Sequence, residues 1–308
     1  SRVQRQRPRL AVLPEGRGDH LRDAVRRGGG DLVAVDDARA IVWVDPDDPA
    51  GLRRTLDDHP HIDWVQLPFA GIEPYVEVLD ADRRWTCGKG VYAEPVAEHA
   101  LALTLGLLRG VAHYARQDRW TGPVGTNLLG GQVTILGGGE ITTSLVRLLR
   151  PFGCSLTVVR RHPDPIDGVG TVLGTDRLHT ALPTTDVLVL ALALTDETER
   201  IVDAAVIDAL PDHAVVVNVA RGRHIDTEAL VAALRDGRLG GAGLDVTDPE
   251  PLPDDHPLWS LPNVVITPHT ANTPEMGAAL LSVRVEENVA RYGRGEPLLG
   301  PIDVDLGY

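Results

Sequence analysis

The chain has 308 residues, 43% of them hydrophobic, and a formal net charge of −14. That length and apolar share suffice for two compact domains with sizeable cores. The acidic balance, with Lys89 as the single lysine, argues against a nucleic-acid binder, which would show a basic face. The opening stretch SRVQRQRPRL carries four arginines and reads as a solvated tail rather than a binding arm. No apolar run follows it to make a signal peptide, and no segment is long enough to span a membrane. Cys87 and Cys154 are the only cysteines, so no disulfide or zinc framework is expected, and no metal site is indicated. These features fit a cytoplasmic protein.

Short apolar runs alternate with amphipathic segments along the chain. Early strands are expected at Leu10–Leu13, 32–35, 41–44 and 64–67, with helices at 21–27, 52–58 and 75–79 between them. That alternation predicts an α/β fold with parallel strands and helical crossovers. The stretch EPVAEHALALTLGLLRG has no formal charge from Leu101 to Leu108, which predicts a helix buried on most sides. A second alternating block begins at Gln132, with strands expected at 133–136, 156–159, 187–194, 215–219, 242–246 and 264–266. The last helix has a clear start, with Thr273 as N-cap, Pro274 at the first helical position and Glu275 in the first turn. It is expected to run to about Tyr292 and to end at Gly293. No internal repeat or low-complexity segment is present.

The segment VTILGGGEITTSLVRLLRPFGCSLTVVRR places a strand, a glycine turn, a helix and a second strand within roughly thirty residues, the context of a dinucleotide fingerprint. Gly137 permits the tight turn and Gly139 lets backbone approach a pyrophosphate. The helix expected from about Ile141 offers unpaired N–H groups and a positive dipole end. Thr142 stands where a third glycine is expected, which predicts looser helix–strand packing. Glu140 stands beside the expected phosphate, where a carboxylate repels unless it points to solvent. An ordinary glycine turn is the competing reading, and the βαβ context favours the nucleotide. At the end of the second strand, an NAD site usually carries an acidic residue for the ribose hydroxyls. Here Arg160 and Arg161 stand there, a pair suited to a 2′-phosphate, and so to NADP over NAD. A solvated arginine pair is the alternative.

Three further side chains follow apolar strands. They are Arg221 in VVVNVARGRHID, Glu250 in GAGLDVTDPEPL and His269 in VVITPHTA. The carboxyl ends of strands in an open parallel sheet share one edge, where ligands bind. Each residue alone has an ordinary reading as surface cation, solvated turn or structural histidine. Their convergence beside a nucleotide loop points to a catalytic set.

With GGGEI, NVARGRHIDTEAL, GAGLDVTDPEPL, HPLWSLPNVVITPHTA and AEHALALTLGLLR, the chain resembles the D-isomer-specific 2-hydroxyacid dehydrogenase family over nearly its whole length, including LPFAGIEPY and the closing PIDVDLGY. The resemblance implies two Rossmann-like domains with the active site in the cleft between them. One is a discontinuous substrate domain, 1–94 plus 274–308. The other is a dinucleotide domain, 95–273. It implies that Arg221 holds the carboxylate and carbonyl oxygen of a 2-oxo acid, and that His269 is the general acid and base. It further implies that Glu250 orients His269, that Asp245 binds the nicotinamide amide, and that backbone at Ala70 and Gly71 helps hold the substrate carboxylate. Leu192, Thr198, Val219 and Ala220 join the implied cofactor contacts, with Gly137, Gly139, Glu140, Ile141, Arg160, Arg161 and His269. The helix after Glu94 would form much of a homodimer interface, with residues 114–122 wrapping the partner. His99 in that helix reads as structural.

The chain departs from the family after its fourth dinucleotide-domain strand. The usual HLPLT reads ALALT, with Ala191 and Ala193 replacing the His and Pro. The expectation is an NADP- or NAD-dependent enzyme reducing a small 2-oxo acid such as glyoxylate or hydroxypyruvate. The rivals are a dinucleotide-sensing, corepressor-like binding protein and a dehydrogenase for another substrate class. The second rival leaves the Arg/Glu/His set unexplained. Trp43, Phe69 and Trp259 are candidates to line the substrate pocket.

Overall fold

A computed structural model describes residues 7–304 of the chain. The first six residues of the arginine-rich start and the last four of PIDVDLGY lie outside the described residues. The chain forms two compact units. One comprises the chain up to Tyr92 together with the stretch from Thr273, and the other is Ala93–Asn272.

In the first unit, β1 (Arg9–Leu13), β2 (Asp31–Leu32), β3 (Ala40–Trp43), β4 (Trp64–Gln66) and β5 (Arg84–Thr86) make a parallel sheet of order β2-β1-β3-β4-β5. Every residue of β3 is buried, because helices cover both faces, as parallel sheets require. Ile41 faces a layer with Leu52 and Leu56 of α2 (Pro49–Asp58), and Val42 faces Leu21 and Val25 of α1 (Asp19–Arg27). The C-terminal helix, Pro274–Arg294, joins that second layer through Leu281, Val285 and Val289. Its buried Asn288 donates to Gln66 Oε1 at 3.0 Å, and Tyr292 stacks on Trp64 with ring centroids 5.0 Å apart. Thr273 caps its start by accepting from the Met276 amide. The helix ends later than Gly293, at Gly295, which takes the left-handed cap with φ 70°. Gly293 stays helical and packs against Pro8.

In the second unit, α3 (Ala93–Leu108) and α4 (Val111–Ala115) precede the sheet. Its strands are β6 (Gln132–Leu136), β7 (Ser155–Val159), β8 (Thr171–Leu173), β9 (Val187–Leu190), β10 (Val215–Asn218), β11 (Gly241–Leu244) and β12 (Val264–Ile266). All pairs are parallel, in the order β12-β11-β10-β9-β6-β7-β8, so the strand order reverses between β6 and β9. The helices α5 (Glu140–Leu149), α6 (Leu178–Ala181), α7 (Ala204–Ala209) and α8 (Thr227–Arg235) complete the unit. One face of α3 packs on β11, where Gly243 lets Leu103 approach to van der Waals contact. Its other face is less buried than expected, since Leu101 and Leu105 stay partly exposed. The strands expected at 187–194, 215–219 and 242–246 end one to four residues earlier, at Leu190, Asn218 and Leu244. At those points the backbone leaves the ladder for loops. No helix among the described residues is long and apolar enough to cross a membrane.

Candidate active site

The turn after β6 is shaped by backbone proximity. Gly137 has φ 107° and donates its N–H to Val159. A Cβ there would lie 2.2 Å from the Ala191 carbonyl oxygen, so no other residue fits. Above Gly139, by contrast, the space is open. Gly139 is the N-cap of α5 and no side chain caps that helix, which leaves first-turn amides and the positive dipole end for an anion. Glu140, the first residue of the helix, is exposed, and Ile141 is half-buried. Thr142 is fully buried, and its hydroxyl donates to the Gly137 carbonyl at 2.8 Å. The hydroxyl is thus satisfied by the turn itself. Gly137, Gly139 and the α5 amides thus fit a pyrophosphate.

The two arginines at the end of β7 behave differently. Arg161 is exposed and pairs with Glu197 at 3.2 Å. Arg160 folds over the glycine turn, so that a Cβ on Gly138 would meet its Cδ at 2.6 Å and its Nε at 2.8 Å. The guanidinium at the cofactor loop is therefore that of Arg160.

Register across three neighbouring strands aligns the remaining groups. Asn218, Leu244 and Ile266 lie side by side in β10, β11 and β12, so Arg221, Asp245 and His269 all follow at one edge. Asn218 closes the turn after β10, its Nδ2 donating to the Arg221 carbonyl at 2.8 Å and its Oδ1 accepting from the Ala220 amide at 3.0 Å. Val219 and Ala220 are buried there, and the Arg221 guanidinium donates to the Ala220 carbonyl at 2.9 Å. Gly222 lies so close to the loop after β11 that a Cβ would stand 1.9 Å from the Thr247 carbonyl oxygen. That loop carries Glu250, whose Oε2 accepts from the Thr247 amide and whose Oε1 is 2.6 Å from His269 Nδ1. An acceptor-only carboxylate at that distance makes Nδ1–H the donor and leaves Nε2 outward. His269 and Glu250 are about half-exposed, open to a small ligand.

His269 adopts a left-handed backbone with φ 52°, which an L-residue holds only where its surroundings impose it. Asp245 imposes it. The Asp245 carbonyl accepts the His269 amide at 2.8 Å. Its carboxylate, 2% exposed, accepts from the Thr267 hydroxyl at 2.6 Å and from the amides of Thr270 and Ala271 at 2.8 and 3.0 Å. His99 Nε2 lies 3.3 Å from the same carboxylate and 2.8 Å from the Thr267 hydroxyl. Burial would raise the Asp245 carboxyl, but the bonds from His99, Thr267, Thr270 and Ala271 outweigh it and hold it below the usual range.

After β9, Thr198 closes a turn by donating its hydroxyl to the Ala193 carbonyl at 2.7 Å, and Leu192 is half-buried within it. His224 is a residue that sequence reasoning passed over. Fully buried, it contacts the carbonyl of Ala193 and the backbone of Arg221. Its signal was present in NVARGRHID, a polar ring three residues past the arginine, but its burial was not.

In the first unit, Ala70 and Gly71 lie on the loop that leaves β4, with Ala70 exposed. Phe69 is 48% exposed, as is Trp259 of the second unit at 47%. Trp43, expected to line a pocket, is instead 3% exposed in the core of the first unit, because β3 is covered on both faces. Both cysteines are free, and no cluster of three metal-ligating side chains occurs among the described residues.

A doubly wound sheet with an uncapped glycine turn at its switch point and an imidazole–carboxylate pair on the same edge defines a nucleotide-dependent oxidoreductase site. Sequence comparison agrees. The profile described as D-isomer specific 2-hydroxyacid dehydrogenase, NAD binding domain, matches residues 100–271. A protein in the proB 3′ region of Corynebacterium melassecola is 39% identical over 256 residues, covering 80% of this chain and 84% of that one. Glyoxylate/hydroxypyruvate reductase A of Klebsiella pneumoniae strain 342 is 38% identical over 176 residues, which span 57% of this chain and 56% of that protein. Among solved structures, a D-isomer specific 2-hydroxyacid dehydrogenase of Xanthobacter autotrophicus Py2, in complex with NADPH and MES, superposes with a TM-score of 0.84 at 27% identity, covering 98% of this chain and 100% of that one. The chain belongs to the D-isomer specific 2-hydroxyacid dehydrogenase family of NAD(P)-dependent oxidoreductases.

Proposed function

We propose that this protein reduces a small 2-oxo acid, of the glyoxylate or hydroxypyruvate class, to the D-2-hydroxy acid, with NADPH preferred over NADH. The observation that carries the reading is the His269–Glu250 pair, 2.6 Å apart, on the edge where Arg221 also emerges. The similarity to a glyoxylate/hydroxypyruvate reductase supports the substrate class. Gly137, Gly139 and the first turn of α5 would hold the pyrophosphate of the dinucleotide, and Arg160 a 2′-phosphate. When bound, the reduced nicotinamide supplies a hydride to the substrate carbonyl carbon.

The rest falls to the chain's own groups. Arg221 binds the substrate carboxylate with a planar fork that an ammonium does not reproduce. His269 donates its Nε2 proton to the carbonyl oxygen as that oxygen becomes an alkoxide, and takes it back in the reverse direction. Glu250 accepts from Nδ1–H throughout, which keeps the ring in one orientation. Asp245 holds the backbone that presents the ring. We further propose a homodimer. Trp120 is 100% exposed and Leu129 66% exposed, and Leu101 and Leu105 of α3 are partly exposed, apolar side chains that a second copy of the chain would cover.

The test is a panel of 2-oxo acids crossed with NADH and NADPH. The highest kcat/KM is expected with a two- or three-carbon acid and NADPH. Turnover confined to large or non-acidic carbonyl compounds would reject the substrate class.

A further inference from the structure

The geometry points to His224 as a positioning residue that fixes the backbone of Arg221 against the loop following β9, and so sets where the guanidinium meets a 2-oxo acid. The inference rests on the reading of Arg221 as the substrate ligand.

The case begins with what surrounds the ring. His224 is 0% exposed, at the end of the short 3-10 turn Gly222–His224 that follows Arg221. Its Nε2 lies 3.3 Å from the Ala193 carbonyl oxygen, and its Nδ1 lies 3.2 Å from the Arg221 amide nitrogen. A carbonyl only accepts, so Nε2 carries the proton, and the unprotonated Nδ1 accepts the Arg221 N–H. The Arg221 carbonyl, 3.1 Å from the same Nδ1, is served instead by Asn218 Nδ2 at 2.8 Å. Every polar atom of the ring and of the Arg221 peptide thereby finds a partner, in an arrangement that only the neutral imidazole satisfies. Burial is the main cause that pulls the ring's proton affinity below its ordinary value. The carbonyls of Ala193 and Arg221 oppose that shift, and the Arg221 guanidinium adds to it.

The ring thus bridges two loops with different duties. The Ala193 carbonyl belongs to the turn closed by Thr198, at the end of β9 beside the glycine turn. Arg221 belongs to the turn after β10. A buried side chain that spends both nitrogens on such a bridge transmits position without touching the ligand. This chain carries Ala191 and Ala193 where the family pattern has His and Pro, and the bridge anchors that loop from the neighbouring strand.

The two ring nitrogens are separable by substitution. His224→Asn keeps an acceptor at the position of Nδ1 and loses the donor to Ala193. His224→Gln keeps a donor at the position of Nε2 and loses the acceptor for the Arg221 amide. His224→Leu loses both. KM and kcat are to be measured with the best-used 2-oxo acid of the panel, and Kd for NADPH by fluorescence titration, with Arg221→Gln as reference. His224→Leu should raise KM by roughly tenfold or more with Kd for NADPH within about twofold, and His224→Asn and His224→Gln, each keeping only one end of the bridge, should both raise KM as well. A thermal midpoint that falls while KM stays at the wild-type value would mean a merely structural histidine and overturn the inference. Should His224→Leu fail to fold, the Asn and Gln pair decides, and a wild-type KM in either overturns it. If Arg221→Gln raises KM and the His224 variants do not, the inference fails while the role of Arg221 stands. If Arg221→Gln leaves KM unchanged, both fail.

Discussion

His269 is the residue on which the proposed chemistry turns. Replacement by Gln keeps hydrogen bonding but removes proton donation at ordinary pH. Turnover should fall by roughly 10²-fold or more while cofactor affinity is kept, because a general acid acts in the transition state. Wild-type turnover in a chemistry-limited assay would refute the assignment. Arg160 decides a different matter, since Arg161 is already engaged by Glu197. A well-formed charge-assisted contact to a 2′-phosphate contributes about 1.5–3 kcal/mol, less where solvent reaches it, so a tenfold to few-hundredfold preference for NADPH is expected. Arg160→Asp should reverse that preference, and kcat/KM for both cofactors at two salt concentrations checks it; NADH used as well as NADPH by the wild type would refute it. Two buried groups set the acid limit. His224 has its proton affinity lowered on folding, so the unfolded chain protonates first and stability declines as pH falls below the ordinary value of 6.5. Asp245 is also held low, so its contribution is complete above its ordinary value of 3.8 and is lost as pH falls from there towards its folded value. Denaturant midpoints measured against pH should lose the first decline in His224→Asn and the second in Asp245→Asn.

The strand ends and their loops, rather than the strands themselves, carry the candidate site. The turn after β10 and the loop after β11 are in backbone contact at Gly222 and Thr247. Gly222→Ala would force them apart, since a Cβ at 1.9 Å from a carbonyl oxygen has nowhere to go. Arg221 would then shift on one side, and Glu250 with its bond to His269 on the other. A displacement of about 1 Å at reacting groups costs on the order of 10²-fold in rate, so turnover should drop steeply in a variant that still binds NADPH. Stopped-flow or steady-state rates with the 2-oxo acid, beside the cofactor Kd, separate that outcome from general unfolding. An unchanged rate would mean that the two loops are independent.

Taken whole, the chain shows an apolar surface that its own fold leaves uncovered. Val111, Val124 and Leu129 are exposed with Trp120 along residues 111–129. Exposed apolar side chains concentrated in one stretch suit the proposed dimer contact. Sedimentation at micromolar concentration should give a dimer, and Trp120→Glu should shift it towards monomer. A monomer for the wild type across that range would contradict the proposed assembly.

Much of this was readable from the chain order alone. Apolar, β-branched runs such as VVVN and VLVL announce buried parallel strands, because burial on both faces writes itself into composition. The glycine turn, the Thr273-Pro274 start of the last helix and the histidine past VVI are local signals with local causes. What the sequence did not contain is neighbourhood. Nothing in the order of residues places β9 beside β6, yet that pairing brings Ala191 over Gly137. The short strands β5 and β8 escaped notice because edge strands of three residues are held by backbone pairing rather than by pattern. The choice of Arg160 over Arg161, the accommodation of Thr142, the withdrawal of Trp43 into a core and the cage that Asp245 and His99 build around the His269 loop all depend on contacts between residues distant in sequence. Side-chain type and periodicity establish what must be buried and what could react. Only the packed structure decides which polar atoms meet, because each hydrogen bond is a relation between two places that the chain brings together by folding.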